Sequence, residues 1–216
     1  MSQSAVSALM GAGHHRQVFP GEEGPLLTLR ARWPQPEGEG RASRRLRRYY
    51  DRLARRWLVR WTGPLLEKAR AARARDWQAG MDFTVTYLED GLLSLYIDLT
   101  ETADRPRTVR LGDVGELKRG TPVALPALLG RPRQWKNQVL EQVETQAAGR
   151  VGSGEYLYYE DWPQLCRRWF SPERYYLTAE GPVVFYPMET IAPALEGVPV
   201  FPLSPGPDPL EDLSGK

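Results

Sequence analysis

Tyr87-Leu88-Glu89-Asp90-Gly91-Leu92-Leu93 decides the fold, and Tyr176-Leu177-Thr178-Ala179-Glu180-Gly181-Pro182-Val183-Val184 repeats its logic further down the chain. In each, a Tyr-Leu pair leads into an acidic residue plus glycine and out into an apolar, β-prone run. This is the pattern of a β-hairpin: glycine takes the positive φ of a tight reversal without steric cost, and β-branched and aromatic neighbours suit a half-buried pleated surface. Around the first turn, Phe83, Val85 and Tyr87 alternate with Thr84 and Thr86. After it, Leu93, Leu95, Ile97 and Leu99 alternate with Ser94, Tyr96 and Asp98. Period two buries one face and leaves the other partly wet, as antiparallel sheets allow. The two hairpins are expected side by side in one layer.

Upstream, Leu26 to Trp33 reads as a first strand ended by Pro34 and Pro36. Ser43 can cap a helix whose apolar residues Leu46, Tyr50, Leu53, Trp57 and Trp61 recur at three- and four-residue spacing. Thr62-Gly63-Pro64 should interrupt it, because proline lacks the donor that the carbonyl of residue 60 expects. Downstream, Thr108 to Leu111 reads as a strand and Thr121 to Leu129 as an apolar connector. A second helix starts near Pro132, with Trp135, Val139, Val143 and Ala147 on its face, and a short helix is capped by Asp161. A last strand lies around Val198 to Leu203. Strands and helices come in blocks without βαβ alternation, so the class is α+β: an antiparallel sheet built from hairpins, with a long basic amphipathic helix and one or two further helices packed on it.

Residues 1–24 and 205–216 mix small residues, glycine and proline without period, and are read as a disordered head and tail. Between them, 25–105 forms one half of the fold and 106–204 the other. At 216 residues and 41% hydrophobic content, the chain is long enough to bury a core. Its apolar runs are far short of the roughly 20 residues that cross a bilayer, so no membrane span is expected. The start lacks the basic and hydrophobic regions of a secretory signal, and Cys166 stands alone, so a cytoplasmic location is expected.

Charge is unevenly placed. Residues 41–75 hold thirteen Lys and Arg against Asp51 and Glu67, which makes that segment +11; with the whole chain at +2, the remainder is −9. The aromatics of the long helix share its apolar stripe, so its arginines form a solvated face, paired in part with the acidic remainder. Arg48, Arg52 and Arg55 are the candidates for an anionic partner, with nucleic acid a disfavoured one. Tyr158, Tyr159, Trp162 and Tyr175 complete the candidate binding surface, because Tyr and Trp dominate binding hot spots.

Both histidines, His14 and His15, fall in the head, which leaves the fold without the base of a Ser-His or Cys-His scheme and without His-containing zinc sites. Cys166, between Leu165 and two arginines, reads as a core thiol. Paired carboxylates are the remaining catalytic option, with Asp98/Glu101, Glu160/Asp161 and Glu180/Glu189 as the candidates for glycan hydrolysis. Each has a structural explanation as a cap, turn or surface residue. No phosphate-binding glycine motif occurs, and no cofactor, metal or catalytic residue is assigned.

The segment Tyr176 to Pro187, followed by Ile191-Ala192-Pro193 and Gly197-Val198-Pro199, resembles the domain of unknown function at the extracytoplasmic end of RsiV-type anti-sigma factors. That domain is also found in PdaC-type peptidoglycan deacetylases, outside their catalytic part. The long helix and the first hairpin are similar to its amino-terminal half, so the resemblance covers roughly Leu26 to Leu203. Where that family carries a Gly-Gly-Ala-His-like tract, this chain has Thr100 to Pro106. The resemblance implies a non-catalytic binding or sensing module whose ligand is a protein or a cell-wall glycan; in the anti-sigma factors the region recognises lysozyme. A carboxylate-dependent glycan hydrolase and an anionic-partner binder acting through the basic helix are the alternatives.

Overall fold

Asp90 and Gly91 both adopt positive φ, 52° and 74°, the requirement of a two-residue hairpin turn whose twist matches its strands. They join β3 (Trp77–Glu89) to β4 (Leu92–Thr102) in a computed structural model that describes residues 10–130 and 133–204. Tyr87 seals the turn by donating its hydroxyl hydrogen to Asp90 Oδ2, 2.9 Å away. The expected α+β class holds: among the described residues, nine strands form one six-stranded and one three-stranded sheet.

The head is not disordered from Met10 onward. Met10–Gly21 forms β1, which pairs antiparallel with β2 (Gly24–Pro36) from Met10 opposite Pro36 to Gly21 opposite Gly24. Glu22-Glu23 is the turn between them. β1 carries no apolar period because its neighbour supplies the bulk: the indole of Trp33 lies across Gly13, where an added Cβ would sit 2.3 Å from the ring. The tail from residue 205 and Pro132 lie outside the described residues.

From β2 the chain enters a helix, α1 (Arg41–Arg60), starting two residues before the expected cap; Gly40 is the extended N-cap residue, and its carbonyl accepts from Arg44 N–H at 3.1 Å. Trp61–Leu65 then widens into a π turn that holds Pro64, and α2 (Leu66–Ala71) resumes the rod. The π turn accommodates the donor that proline lacks, while Thr62 Oγ1 donates to Leu58 O at 2.9 Å. The rod leads into β3, which runs parallel to β2 with Leu27 opposite Trp77 and Ala31 opposite Met81. One βαβ unit therefore interrupts an otherwise antiparallel arrangement, a feature that block-wise reading of the elements misses.

Two carboxylates hold α1 against the strands. Trp61, wholly buried, donates its indole N–H to Glu101 Oε1 on β4 at 3.0 Å, and Arg60 Nε donates to the same oxygen at 3.1 Å. Conversely, Asp51 of α1 accepts from Trp33 Nε1 at 2.8 Å and Gln35 Nε2 at 2.5 Å on β2. Tyr50, Ala54, Leu65 and Ala69 are buried along the same side as Trp61, and Trp57 is half-buried with its ring tilted against Trp61 at 5.8 Å.

After β4 come β5 (Pro106–Glu116), β6 (Thr121–Pro122) and the short α3 (Leu125–Leu128), then α4 (Trp135–Ser153) and α5 (Trp162–Trp169). The second hairpin is β7 (Tyr175–Thr178) and β8 (Gly181–Phe185), closed by Ala179-Glu180, with Gly181 at φ 131°. It does not lie in the layer of the first hairpin. Three helices intervene in the chain, and β8 instead finds its third strand in β9 (Val200–Pro202). The face of β4 read as partly wet is covered at Ser94, which is fully buried, shares a hydrogen bond with Thr86 and accepts from Leu177 N–H at 2.8 Å.

Contacts divide the described chain into two compact units, and the division does not fall at residue 105. One contains residues through Val85, Ile97–Val109 and Leu117–Gly120; the other contains Thr86–Tyr96, Arg110–Glu116 and residues from Thr121 on. The second unit has a core of Leu125, Val139, Val143, Cys166, Val184, Tyr186 and Phe201, among others. Side chains of α4 strap it: Gln146 and Arg150 donate to the carbonyls of Pro202 and Val200 at 2.7 and 2.9 Å, and Gln142 Oε1 accepts from Ser204 N–H. Among the described residues, no helix is long and apolar enough to cross a membrane.

Glu101→Ala leaves the buried Trp61 N–H without its acceptor and is expected to cost about 1–3 kcal/mol in urea unfolding, the penalty of an unsatisfied buried donor. The exposed change Glu67→Ala on the same rod is expected to stay within about 0.5 kcal/mol.

Candidate functional site

At 3.6 residues per turn, Arg44, Arg45, Arg48, Arg52, Arg55 and Arg56 fall within about a third of the circumference of α1, on the side away from Tyr50, Ala54 and Trp61. All six are exposed. The expected pairing with the acidic remainder is not made by them: among the described residues they form no ion pair, and Arg48 Nε reaches only the carbonyl of Arg44, at 3.4 Å. The paired cations of residues 41–75 lie elsewhere, with Arg60 on Glu101, Lys68 on Asp104 at 2.8 Å and Arg75 on Glu23 at 2.5 Å. Arg47 is occupied by the carbonyls of Pro36 and Gly38. The result is an uncompensated cationic stripe running along α1 and containing Arg48, Arg52 and Arg55.

The aromatic candidates belong to the second unit, and they divide by burial. Tyr175 is core, not surface: it is 6% exposed and its hydroxyl donates to Val123 O. Its strand is covered on both faces, Tyr175 in the cluster with α4 and Tyr176 in a second cluster with Val183 and Phe185. Two adjacent tyrosines therefore both point into apolar surroundings. Tyr158 and Trp162 are half-buried, packed edge to face at 6.1 Å against that core, and Tyr159 is exposed.

Around Tyr159 the exposed surface extends to Tyr156 and Leu157, and to Leu195, which carries no sequence signal of its own. Tyr156, Leu157 and Tyr159 are 42%, 57% and 37% exposed, and Leu195 is 87% exposed. This segment is held in place. Leu157 N–H donates to Glu196 Oε1 at 3.0 Å, Tyr159 N–H to Ile191 O at 3.2 Å, and Arg150 stacks on both Tyr156 and the buried Phe201. The rim is acidic, with Glu155, Glu160 and Asp161 all exposed. Asp161 occupies the N-cap position of α5, but its side chain makes no capping bond; its backbone carbonyl accepts from Leu165 N–H.

Of the carboxylate pairs, Asp98/Glu101 is not brought together. Asp98 and Glu101, three residues apart on β4, project to opposite faces of a period-two strand, and Glu101 is engaged by Trp61 and Arg60. Glu180 lies in the β7–β8 turn, and Glu189 in the loop after β8 with φ 62°. The histidines, in contrast, lie within the fold on β1, where His15 Nε2 and Gln17 Oε1 are 3.3 Å apart.

Cys166 is fully buried, and burial, followed by the charge of Glu144, pushes its thiol from an ordinary 9.0 up to about 12. The neighbouring arginines do not activate it: Arg167 is committed to Glu144 at 2.7 Å.

No family model matches the chain, and no curated protein matches it in sequence. Solved structures do. A member of the DUF3298 family from Bacteroides fragilis is 12% identical and superposes with a TM-score of 0.62 over 96% of this chain and 97% of its own. A DUF3298 family protein from Pseudomonas aeruginosa PAO1 is 13% identical, with a TM-score of 0.57 over 90% of this chain and 88% of its own. At such identity the likeness shows the fold: this chain has the architecture of DUF3298 structures, a domain of unknown function.

Burial also raises the phenols of Tyr87, to about 12, and of Tyr175 and Tyr186. Between the ordinary values of 9.0 and 10.0 and those raised values, the folded state holds protons that the unfolded state has lost. Stability is therefore fully present below about pH 9 and falls as pH rises toward 12. A thermal-melt series should show that decline, and Ellman's reagent at pH 8 should find Cys166 unreactive until the chain is unfolded.

Proposed function

We propose that this chain is a non-catalytic binding module of the kind its RsiV-type motifs imply, recognising a protein or a cell-wall glycan through the platform around Tyr156, Leu157, Tyr159 and Leu195. The observation that carries this reading is that large apolar side chains are held out to solvent by a segment tied to the core through Glu196, Ile191 and Arg150. Ordering exposed aromatics in advance lowers the entropic cost of binding, and aromatic residues in a polar rim are what binding hot spots are made of. Tyr158 and Trp162 support the platform from below, and Tyr175 has no part in contact.

Titrating isotopically labelled protein with soluble muropeptides and, separately, with lysozyme is expected to shift resonances confined to 155–160 and 194–196 for at least one of them. Leu157→Ser combined with Tyr159→Ala should weaken that binding by about 2 kcal/mol, roughly 30-fold, without changing the circular dichroism spectrum. Shifts only elsewhere, or undiminished binding by the double variant, would count against the platform.

A second reading, an anionic partner such as nucleic acid on α1, is favoured by the six arginines left without ion pairs. It predicts affinity for a short duplex that falls steeply with salt. Substituting Arg48, Arg52 and Arg55 by alanine should make the log–log salt slope shallower by about 0.9 for each phosphate that is no longer neutralised; an unchanged slope rejects it.

A further inference from the structure

On the outer face of the sheet in the first unit, β1 and β2 place basic residues opposite one another on two successive same-face rungs. Arg16 lies opposite Arg30, and His14 lies opposite Arg32. Side chains directly opposite on one face of an antiparallel pair are about 5 Å apart at Cβ, and like charges there destabilise the sheet. Only one member of this quartet has an acidic partner among the described residues. Arg32 Nε donates to Asp82 Oδ1 at 2.5 Å, its Nη2 donates to Phe83 O at 2.7 Å, and its guanidinium lies 4.3 Å over the Phe83 ring. Arg16 and Arg30 make no ion pair or hydrogen bond within the described chain. Both are exposed.

These residues border a shallow, open groove of about 490 Å³ whose far side is Asp82 on β3 and Asp98 and Thr100 on β4. Its floor is open because the residue in register with Arg30 on β3 is Gly80; a Cβ there would stand 3.1 Å from Thr100 Oγ1 and 3.2 Å from Arg30 O. That volume lies in the range of small-molecule pockets. Across from the two free guanidiniums stand a hydroxyl and the carboxylates of Asp82 and Asp98, both with partners of their own, so the guanidiniums remain as cationic donors that an oxyanion stabilises through charge-assisted, bidentate hydrogen bonds.

We propose that this groove is a binding site for a small hydroxyl-bearing oxyanion, a phosphate ester or a carboxylate, held by Arg16 and Arg30, with Thr100 meeting its hydroxyl groups. The site uses residues distinct from the platform and from the α1 stripe, so it stands or falls separately from the function proposed above. Arg32, already fixed by Asp82, lends its charge to the wall and keeps the rung in place.

The experiment is calorimetric and thermal-shift titration of the full chain at constant ionic strength, using inorganic phosphate, glucose 6-phosphate, glucuronate and glucose as probes. At least one anionic probe should raise the melting temperature beyond a chloride control, and glucose should not. Whether the phosphates or glucuronate act identifies the anionic group. R16A and R30A should each weaken that binding at least tenfold, and R16A without ligand should melt no lower than the wild type, since it relieves a repulsion. G80A keeps every charge but raises the floor, and should also weaken binding, whereas alanine at Arg48, Arg52 and Arg55 should leave it unchanged. No response to any anion, a response equal to that of chloride, undiminished binding by R16A and R30A, or an equal loss on substituting the α1 arginines would each overturn the site.

Discussion

A buried indole with a single donor constrains the first unit more than any other group. Trp61 is removed from water on the most basic element of the chain, and its N–H must find an acceptor or cost the protein a large share of its stability. Glu101 supplies it, and it accepts from Arg60, the preceding residue in the chain, as well. Asp51 makes the reciprocal contact ten residues earlier, from helix to strand, with Trp33 and Gln35. Two contacts along one side of a rod set its rotation about its own axis. With the indole side turned to the strands, the arginines at 44, 45, 48, 52, 55 and 56 have only solvent to face.

Several carboxylates of the chain are engaged elsewhere than on that stripe. Glu101 and Asp51 are engaged by indoles, Asp82 by Arg32, and Glu144 by Arg167. Charge that balances in the sum, at +2 overall, therefore remains separated in space. The second unit reaches a comparable division by other means. Side chains of α4 grip the backbone of the last strand, and Arg150 ties the Tyr156 segment to the core, so that apolar side chains are presented to water on a fixed support.

The parts of this architecture that were legible in the sequence are those where one residue type has few conformational alternatives. Asp90-Gly91 demanded a tight reversal, Pro64 an interruption of the helix, and the stripe from Tyr50 to Trp61 a buried face. The head was illegible because β1 is a strand without an apolar period: Gly13 is small because Trp33 occupies its space, and that exchange of volume between neighbouring strands leaves no local signal. Reading the head as disordered removed His14 and Arg16 from the fold and hid the groove they border. Tyr175 was misplaced for a related reason. A four-residue strand covered on both sides breaks the rule that alternate residues see water, and only the tertiary arrangement shows the second cover. The fixed loop at Tyr156 to Tyr159 was visible as an aromatic cluster, but its exposure depends on backbone bonds to residues some forty positions away.

The most direct test is hydrogen exchange of the indole N–H resonances in nitrogen-15-labelled protein, which carries seven tryptophans. The Trp61 indole should exchange only through global unfolding, and replacing Glu101 by glutamine should shift its resonance more than that of Trp135 or Trp169 in the second unit. A Trp61 indole proton that exchanges as fast as that of exposed Trp169, or that ignores the change at Glu101, would contradict the placement of the rod on which the account rests.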